Sequence, residues 1–311
     1  MNRSNVIAIS GVLLLLFGMT TSAGANEIKR KFDSLFVIAS SGEVMFREMV
    51  EPAKDSIAAM GEEVAPWLID KFTTKSARDR WTIIHVLKRI GSPAVPYLVR
   101  ALKRSDGLVV QRVCWALGDI ADSTAVDPLI DVRHHQRWQV RDQAIGALGK
   151  IGAYRAEPVV IEALTDSIGQ VRKAAAVSCG KLTADDGIAR LVHLLGDDFY
   201  GARMSAMESL LKLDTTLVVV ALSDSIASDN NFVGDLACRI MGQLGTPRCI
   251  ATLLVQTQAD NPSRRAHAAT ALIHTANENA ESVCSFFAKR EPDRLARLKM
   301  TSALNAVINE Q

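Results

Sequence analysis

The sequence predicts an all-α protein, a right-handed α-solenoid of antiparallel helix pairs, and three observations carry that expectation. The first is a recurring phrase. Ala147-Leu148-Gly149-Lys150-Ile151-Gly152, followed by Pro158, has near-copies at Val86–Gly91 with Pro96 and at Ala116–Ala121 with Pro128. Further copies stand at Ser178–Leu182 and Ile240–Gly245. The residues that close each copy are Met60, Ile90, Ile120, Ile151, Leu182, Leu213, Leu244, Thr275 and Val307, spaced 30 to 32 residues apart. So steady a period is the signature of stacked repeats, each burying its apolar face against its neighbours. The second is helical periodicity. In Val140–Ile151, apolar residues fall 11, 7, 6, 4, 3 and 0 places before the closing residue, one broad face at about 100° per residue. The third is composition. Hydrophobic residues make up 48% of the 311, but aromatics only 5%, so Ala, Leu, Ile and Val must form a core of closely stacked helices.

Taken in order, the chain opens on Arg3, an apolar run from Val6 to Met19, and Ala23-Gly24-Ala25. The run is shorter than the roughly 20 residues of a membrane span. The three-part layout is that of a secretory signal peptide over residues 1–25, removed before Asn26; an uncleaved anchor is the alternative reading. Export to the periplasm or outside the cell is therefore expected, with no membrane span after cleavage. Residues 26–52 read as capping helices, one over Asn26–Ser40 and one over Val44–Val50, with Pro52 interrupting before the chain resumes at Ala53. The repeat array then occupies 53–311.

Within the array each position has a role. Alternating small and large columns, such as Ala144, Ala175, Ala206 beside Leu148, Cys179, Leu210, let helices interlock. Gly118, Gly149, Gly180 and Gly242 lie inside helices, where glycine costs about 1 kcal/mol against alanine, which points to a close contact there. Gly61, Gly91, Gly152 and Gly245 follow the closing residues, where a helix stops in a left-handed conformation. Pro66, Pro96, Pro128 and Pro158 mark the start of each companion helix. The five cysteines include no C-x-x-C; Cys238 and Cys249 flank a predicted helix–helix turn at a spacing that leaves a disulfide open.

Ten places before the closing residue stand Arg80, Arg141, Arg172, Arg203, Arg265 and Arg297, with gaps at Val50, Val110 and Gly234. Acids precede three of them by six residues, at Asp166, Asp197 and Glu291. A partly buried guanidinium demands a partner, so this column reads as a structural ladder in which arginines hold the acids of adjacent turns bidentately.

The unit in Val140–Leu164 resembles a HEAT repeat of the short bacterial kind found in phycobilisome lyases, and Ala53 to Ile308 fit it. The pattern weakens at Leu211-Lys212-Leu213 and Ile273-His274-Thr275, which lack the glycines. The resemblance implies a right-handed solenoid whose second helices line a concave binding surface. It fixes no ligand, because fold does not fix function.

No G-x-S-x-G, H-E-x-x-H, G-x-G-x-x-G or phosphate-loop sequence occurs, so neither an enzyme nor a cofactor is expected. His134 and His135 are adjacent and diverge on a helix, so they make no metal site. A net charge of +2 argues against a nucleic-acid partner. The informative surface is a stripe 12, 8, 5 and 1 places before the closing residue, on the face expected opposite the core. It carries Arg78, His85 and Arg89 bordered by Trp81, then Arg112 and Trp115, and continues as Lys150, Lys181 and Lys212. Arginine beside tryptophan is the composition of protein interfaces, though a capping segment that buries the tryptophans accounts for it equally. For the lysines the stronger reading is that they complement the negative end of the helix dipole. The expected function is a non-catalytic, extracytoplasmic scaffold that binds another protein or peptide, an acidic one for preference. The alternative that the resemblance implies is a tetrapyrrole-handling lyase or pigment chaperone.

Overall fold

The computed structural model describes residues 24–275 and 280–310. Residues 1–23, most of the expected signal peptide, lie outside this range. Every regular element among the described residues is helical, and the chain divides into two compact units, Met1–Ala94 and Val95–Gln311.

The first unit holds α1 (Gly24–Ala39), α2 (Val50–Ala58), α3 (Ala65–Asp70) and α4 (Ala77–Ile90). Phe32, Ile57, Leu68, Phe72, Ile83 and Leu87 are its fully buried centre, and Phe32 meets the Trp67 ring at 5.4 Å. Thr82 Oγ1 donates to the Ala39 carbonyl at 3.0 Å, tying α4 to the end of α1. The capping region differs from its expectation. Val44–Phe46 form only a 3₁₀ turn, and Pro52 lies within the first turn of a continuous α2. Proline is tolerated there because the first-turn N–H groups have no partner within the helix.

In the second unit long helices alternate with short companions. The long ones are α6 (Gly107–Ile120), α8 (Trp138–Ile151), α10 (Gly169–Leu182), α12 (Tyr200–Leu210), α14 (Asn231–Leu244), α16 (Pro262–Ile273) and α18 (Arg294–Glu310). Their companions are α5 (Val95–Ala101), α7 (Val126–Asp131), α9 (Glu157–Ala163), α11 (Ile188–Leu194), α13 (Thr215–Ser225), α15 (Pro247–Gln256) and α17 (Ala280–Arg290). Consecutive long helices pack directly on one another, except that α12 and α14 touch at few points. Val140, Ala144, Ile145, Ala147 and Leu148 are buried, so the apolar face of the repeat is the stacking face.

Turn chemistry explains the helix ends. Gly91, Gly152 and Gly245 stop α4, α8 and α14 at φ 73°, 74° and 60°. The same place in α6 and α10 is taken by Ala121 at φ 59° and Thr183 at φ 53°. A side chain in this region costs about 1–2 kcal/mol. Thr183→Gly is therefore expected to stabilise the protein by about 1 kcal/mol, read as a higher urea midpoint at unchanged slope. All five cysteines are free and buried, Cys238 and Cys249 included. Burial pushes the Cys114, Cys179 and Cys238 thiols up to about 12, so they behave as inert core residues.

Candidate functional site

The arginine column shows how neighbouring repeats are joined. Arg141 on α8 holds Asp166 in the turn before α10 with two bonds, Nε at 2.7 Å and Nη2 at 2.8 Å. Arg172 on α10 holds Asp197 before α12 at 2.6 and 2.7 Å, and Arg265 on α16 holds Glu291 before α18 at 2.9 and 2.7 Å. The remaining Nη1 reaches back to the turn before the arginine's own helix. Arg141 donates to the His135 carbonyl, Arg172 to that of Asp166, Arg203 to that of Asp197 and Arg297 to that of Glu291, at 2.6–3.0 Å. Each acid six residues before an arginine thus gives that arginine only its backbone oxygen. Its carboxylate goes to the arginine of the preceding repeat, a pairing the spacing did not reveal. The carboxylates also accept the N–H two residues on, Ile168 and Phe199 at 2.8 Å and Asp293 at 3.0 Å. Burial pushes the Asp166 and Asp197 carboxyls up, but the guanidinium and the backbone N–H outweigh it and hold both below the ordinary range. Arg265 and the same kind of N–H hold Glu291 low against its burial. In the first unit Arg80 reaches the Lys75 carbonyl at 2.8 Å.

The expected binding stripe is narrower than the sequence suggested, because neighbouring elements cover or engage several of its positions. In the first unit Thr82 is buried, and Arg89 is committed to Glu51 and, at 3.2 Å, to Asp55 on α2. Hydrogen bonds from Lys54 and Arg89 pull the Glu51 carboxyl down to about 2. Trp81 is 52% exposed, with the His85 ring 5.6 Å away. The Arg78 guanidinium lies against Gly42, where no side chain stands in its way.

In the second unit Arg112, read as a surface residue, is only 8% exposed, because α5 and α8 flank α6. Trp115 is half-buried and donates from Nε1 to Asp119 at 2.9 Å, while the other Asp119 oxygen takes Lys150 Nζ from the next repeat at 2.5 Å. Trp115, Asp119 and Lys150 thus form one network across α6 and α8. Lys181 and Lys212 continue the column, both exposed, and neither forms an ion pair among the described residues.

One cluster escaped sequence reasoning. Ser263 Oγ donates to Asp235 at 3.0 Å, His267 Nδ1 lies 3.0 Å from the same carboxylate, and Lys299 meets His267 Nε2. Serine and aspartate both sit on the Nδ1 side of the ring. A nucleophile–base relay needs them on opposite nitrogens, so this arrangement is a polar tie between α14, α16 and α18. Its only signal in the sequence was that Ser263, His267 and Lys299 fall on the 12- and 8-before positions.

The comparisons with known proteins address the fold. A family profile described as HEAT repeats matches residues 65–137 and 126–211. No curated protein matches the sequence significantly. Among solved structures, YibA of Escherichia coli is 16% identical over 82% of this chain and 96% of its own, with a TM-score of 0.51. Human deoxyhypusine hydroxylase in complex with glycerol is 19% identical over 82% of this chain and 98% of its own, at 0.36. The complex of CpcE and CpcF of phycocyanin lyase from Nostoc sp. PCC7120 is 19% identical over 72% of this chain and 93% of its own, at 0.40. At these identities the likeness is one of fold alone. The stacked helix pairs and the matched profile together identify residues 65–211 as HEAT repeats within an α-solenoid.

Proposed function

We propose that this protein is a non-catalytic HEAT-repeat scaffold that works outside the cytoplasm and holds an acidic protein or peptide along the exposed edge of its long helices. The observation that supports this most is the column Lys150, Lys181 and Lys212. It places one cation per repeat on successive helix ends, and two of the three are unengaged by the protein's own acids. Charges at a regular spacing suit an extended partner, whose acids meet the lysines in turn and whose approach they accelerate. Trp115, anchored through Asp119 to the first lysine, adds the aromatic contact typical of interface centres. Arg89 and Arg112 recede from the binding surface in this reading, since one is engaged by α2 and the other is buried.

The triple variant Lys150→Glu, Lys181→Glu, Lys212→Glu reverses only surface charges. It should keep the wild-type circular dichroism and lose at least about tenfold in capture of the crosslinked partner from the envelope fraction. Undiminished capture would place the binding surface elsewhere. Sequencing the N-terminus of the protein recovered from that fraction tests export: a start at Asn26 supports it, and an intact Met1 in the cytoplasm rejects it.

A further inference from the structure

Within the second unit the stack of long helices is interrupted once, between α12 and α14, and both devices that join its other repeats are missing there. Where Gly118, Gly149 and Gly180 meet Ala147, Ser178 and Ser209 of the next helix, the corresponding positions of this junction carry the bulky Leu211 and Ile240. The arginine rung is also incomplete. Arg203 keeps its bond to the Asp197 carbonyl at 2.6 Å, but the position that holds Asp166, Asp197 or Glu291 elsewhere is here Ser228. Among the described residues its Nε and Nη2 make no hydrogen bond. The guanidinium lies over the Phe232 ring at 4.3 Å and within 5.5 Å of the Tyr200 ring, contacts with ring faces that satisfy neither N–H.

A second guanidinium converges on the same turn. Gly234 occupies the ladder position of α14, and the space it leaves is filled from the next repeat by Arg264, whose Nε would lie 2.7 Å from a side chain at 234. Arg264 donates from Nη2 to the Ser228 carbonyl, the bond a ladder arginine at 234 would make. It is 8% exposed, and its buried Nε has no partner. A buried cation with an unanswered donor is costly unless a negative charge comes to it. Beside Ser228 opens a cavity of 480 Å³ bordered by His193, Asp224, Ser225, Asn230 and Val233, against 210 Å³ for the equivalent space beside Asp166. The nearby acids do not fill the role: Asp197 and Asp198 are held by Arg172, Asp229 is exposed, and Asp224, exposed at the cavity's border, forms no ion pair with either arginine among the described residues.

We infer that the α12–α14 junction is a carboxylate-binding site, in which an acidic side chain of a peptide partner enters beside Ser228 and completes the rung with Arg203 and Arg264. Its recognition chemistry is that of the intact rungs, a bidentate guanidinium–carboxylate pair, supplied from outside the chain. The inference is independent of the lysine column.

The probe is an acetylated, amidated hexapeptide of alternating Gly and Glu, titrated into the full chain at low salt, with the Gly–Gln peptide as control. The Glu peptide should bind and raise the thermal midpoint, and the Gln peptide should do neither. Ser228→Asp should raise the midpoint without peptide and weaken the peptide at least about tenfold, because the rung is then closed internally. Arg203→Met should abolish binding, and Arg203→Lys should restore only part of it, since lysine cannot bind bidentately. Because the lysine column also attracts acidic peptides, these variants are compared in the triple lysine background, in which the Glu peptide should still bind and binding should still depend on Arg203, separating this site from the proposed surface. Absence of binding by the wild type, equal binding by Ser228→Asp, or equal stabilisation by inorganic phosphate would each overturn the assignment.

Discussion

Asp197→Asn is expected to lower the free energy of unfolding at neutral pH by about 3 kcal/mol, the scale on which a buried ion pair fails when one partner is removed. Asp197 is the shared point of three ties. It accepts two bonds from Arg172, caps the Phe199 N–H, and through its carbonyl receives Arg203. The amide removes one acceptor oxygen and the charge, leaving the exposed Asp198 as the only carboxylate that Arg172 touches. The effect should be local, because in a solenoid each repeat leans on its neighbours. Hydrogen exchange should accelerate first in α10 and α12. It should also depend on pH in a defined direction. The folded carboxyl titrates below its ordinary value of 3.8, so its contribution is fully present above that value and is lost as pH falls through the lower folded one. Urea titrations of wild type and variant should therefore differ at pH 7 and converge in acid below pH 3.8. A difference that persists unchanged in acid would mean the rung acts by shape and not by charge.

Gly149→Ala should destabilise by about 2 kcal/mol, although alanine is the better helix former by about 1 kcal/mol. A methyl at 149 would stand 2.3 Å from Ser178 Oγ and 2.8 Å from its Cα, and a backbone atom cannot swing aside. Ser178 is itself fixed, donating to the Ile145 carbonyl at 3.0 Å. Gly146, three residues earlier in the same helix, meets nothing within 4 Å, so Gly146→Ala should stabilise by about 1 kcal/mol. Opposite signs from two such substitutions, read from urea midpoints, would show that the glycine column exists for helix approach. Equal signs would remove that explanation.

The repeat carried the fold in its letters, and the reason is periodicity. Val140, Ala144 and Leu148 are buried because a helix returns to the same face every three or four residues; Gly152 punctuates because it alone takes positive φ without strain, and Pro158 because its φ is fixed and it lacks an N–H. These are local properties, and they repeat with the sequence. The left-handed Ala121 and Thr183 escaped notice because their side chains carry no mark of that conformation; the position imposes it.

The arginine column was legible as what ties one repeat to the next, but the individual pairs were not. Asp166 lies six residues before Arg172 in the chain, yet its carboxylate belongs to Arg141, and only the stacking of α8 on α10 decides this. Likewise Arg112 sits on the polar stripe by position but is covered by its neighbours, while Arg264, outside the ladder column, fills the space that Gly234 leaves. The sequence alone determined the unit, its two helices and its period, since those follow from interactions within about thirty residues of chain. The tertiary structure alone decided which charges are answered and which are not, because a guanidinium finds its carboxylate through space and across the boundary between repeats.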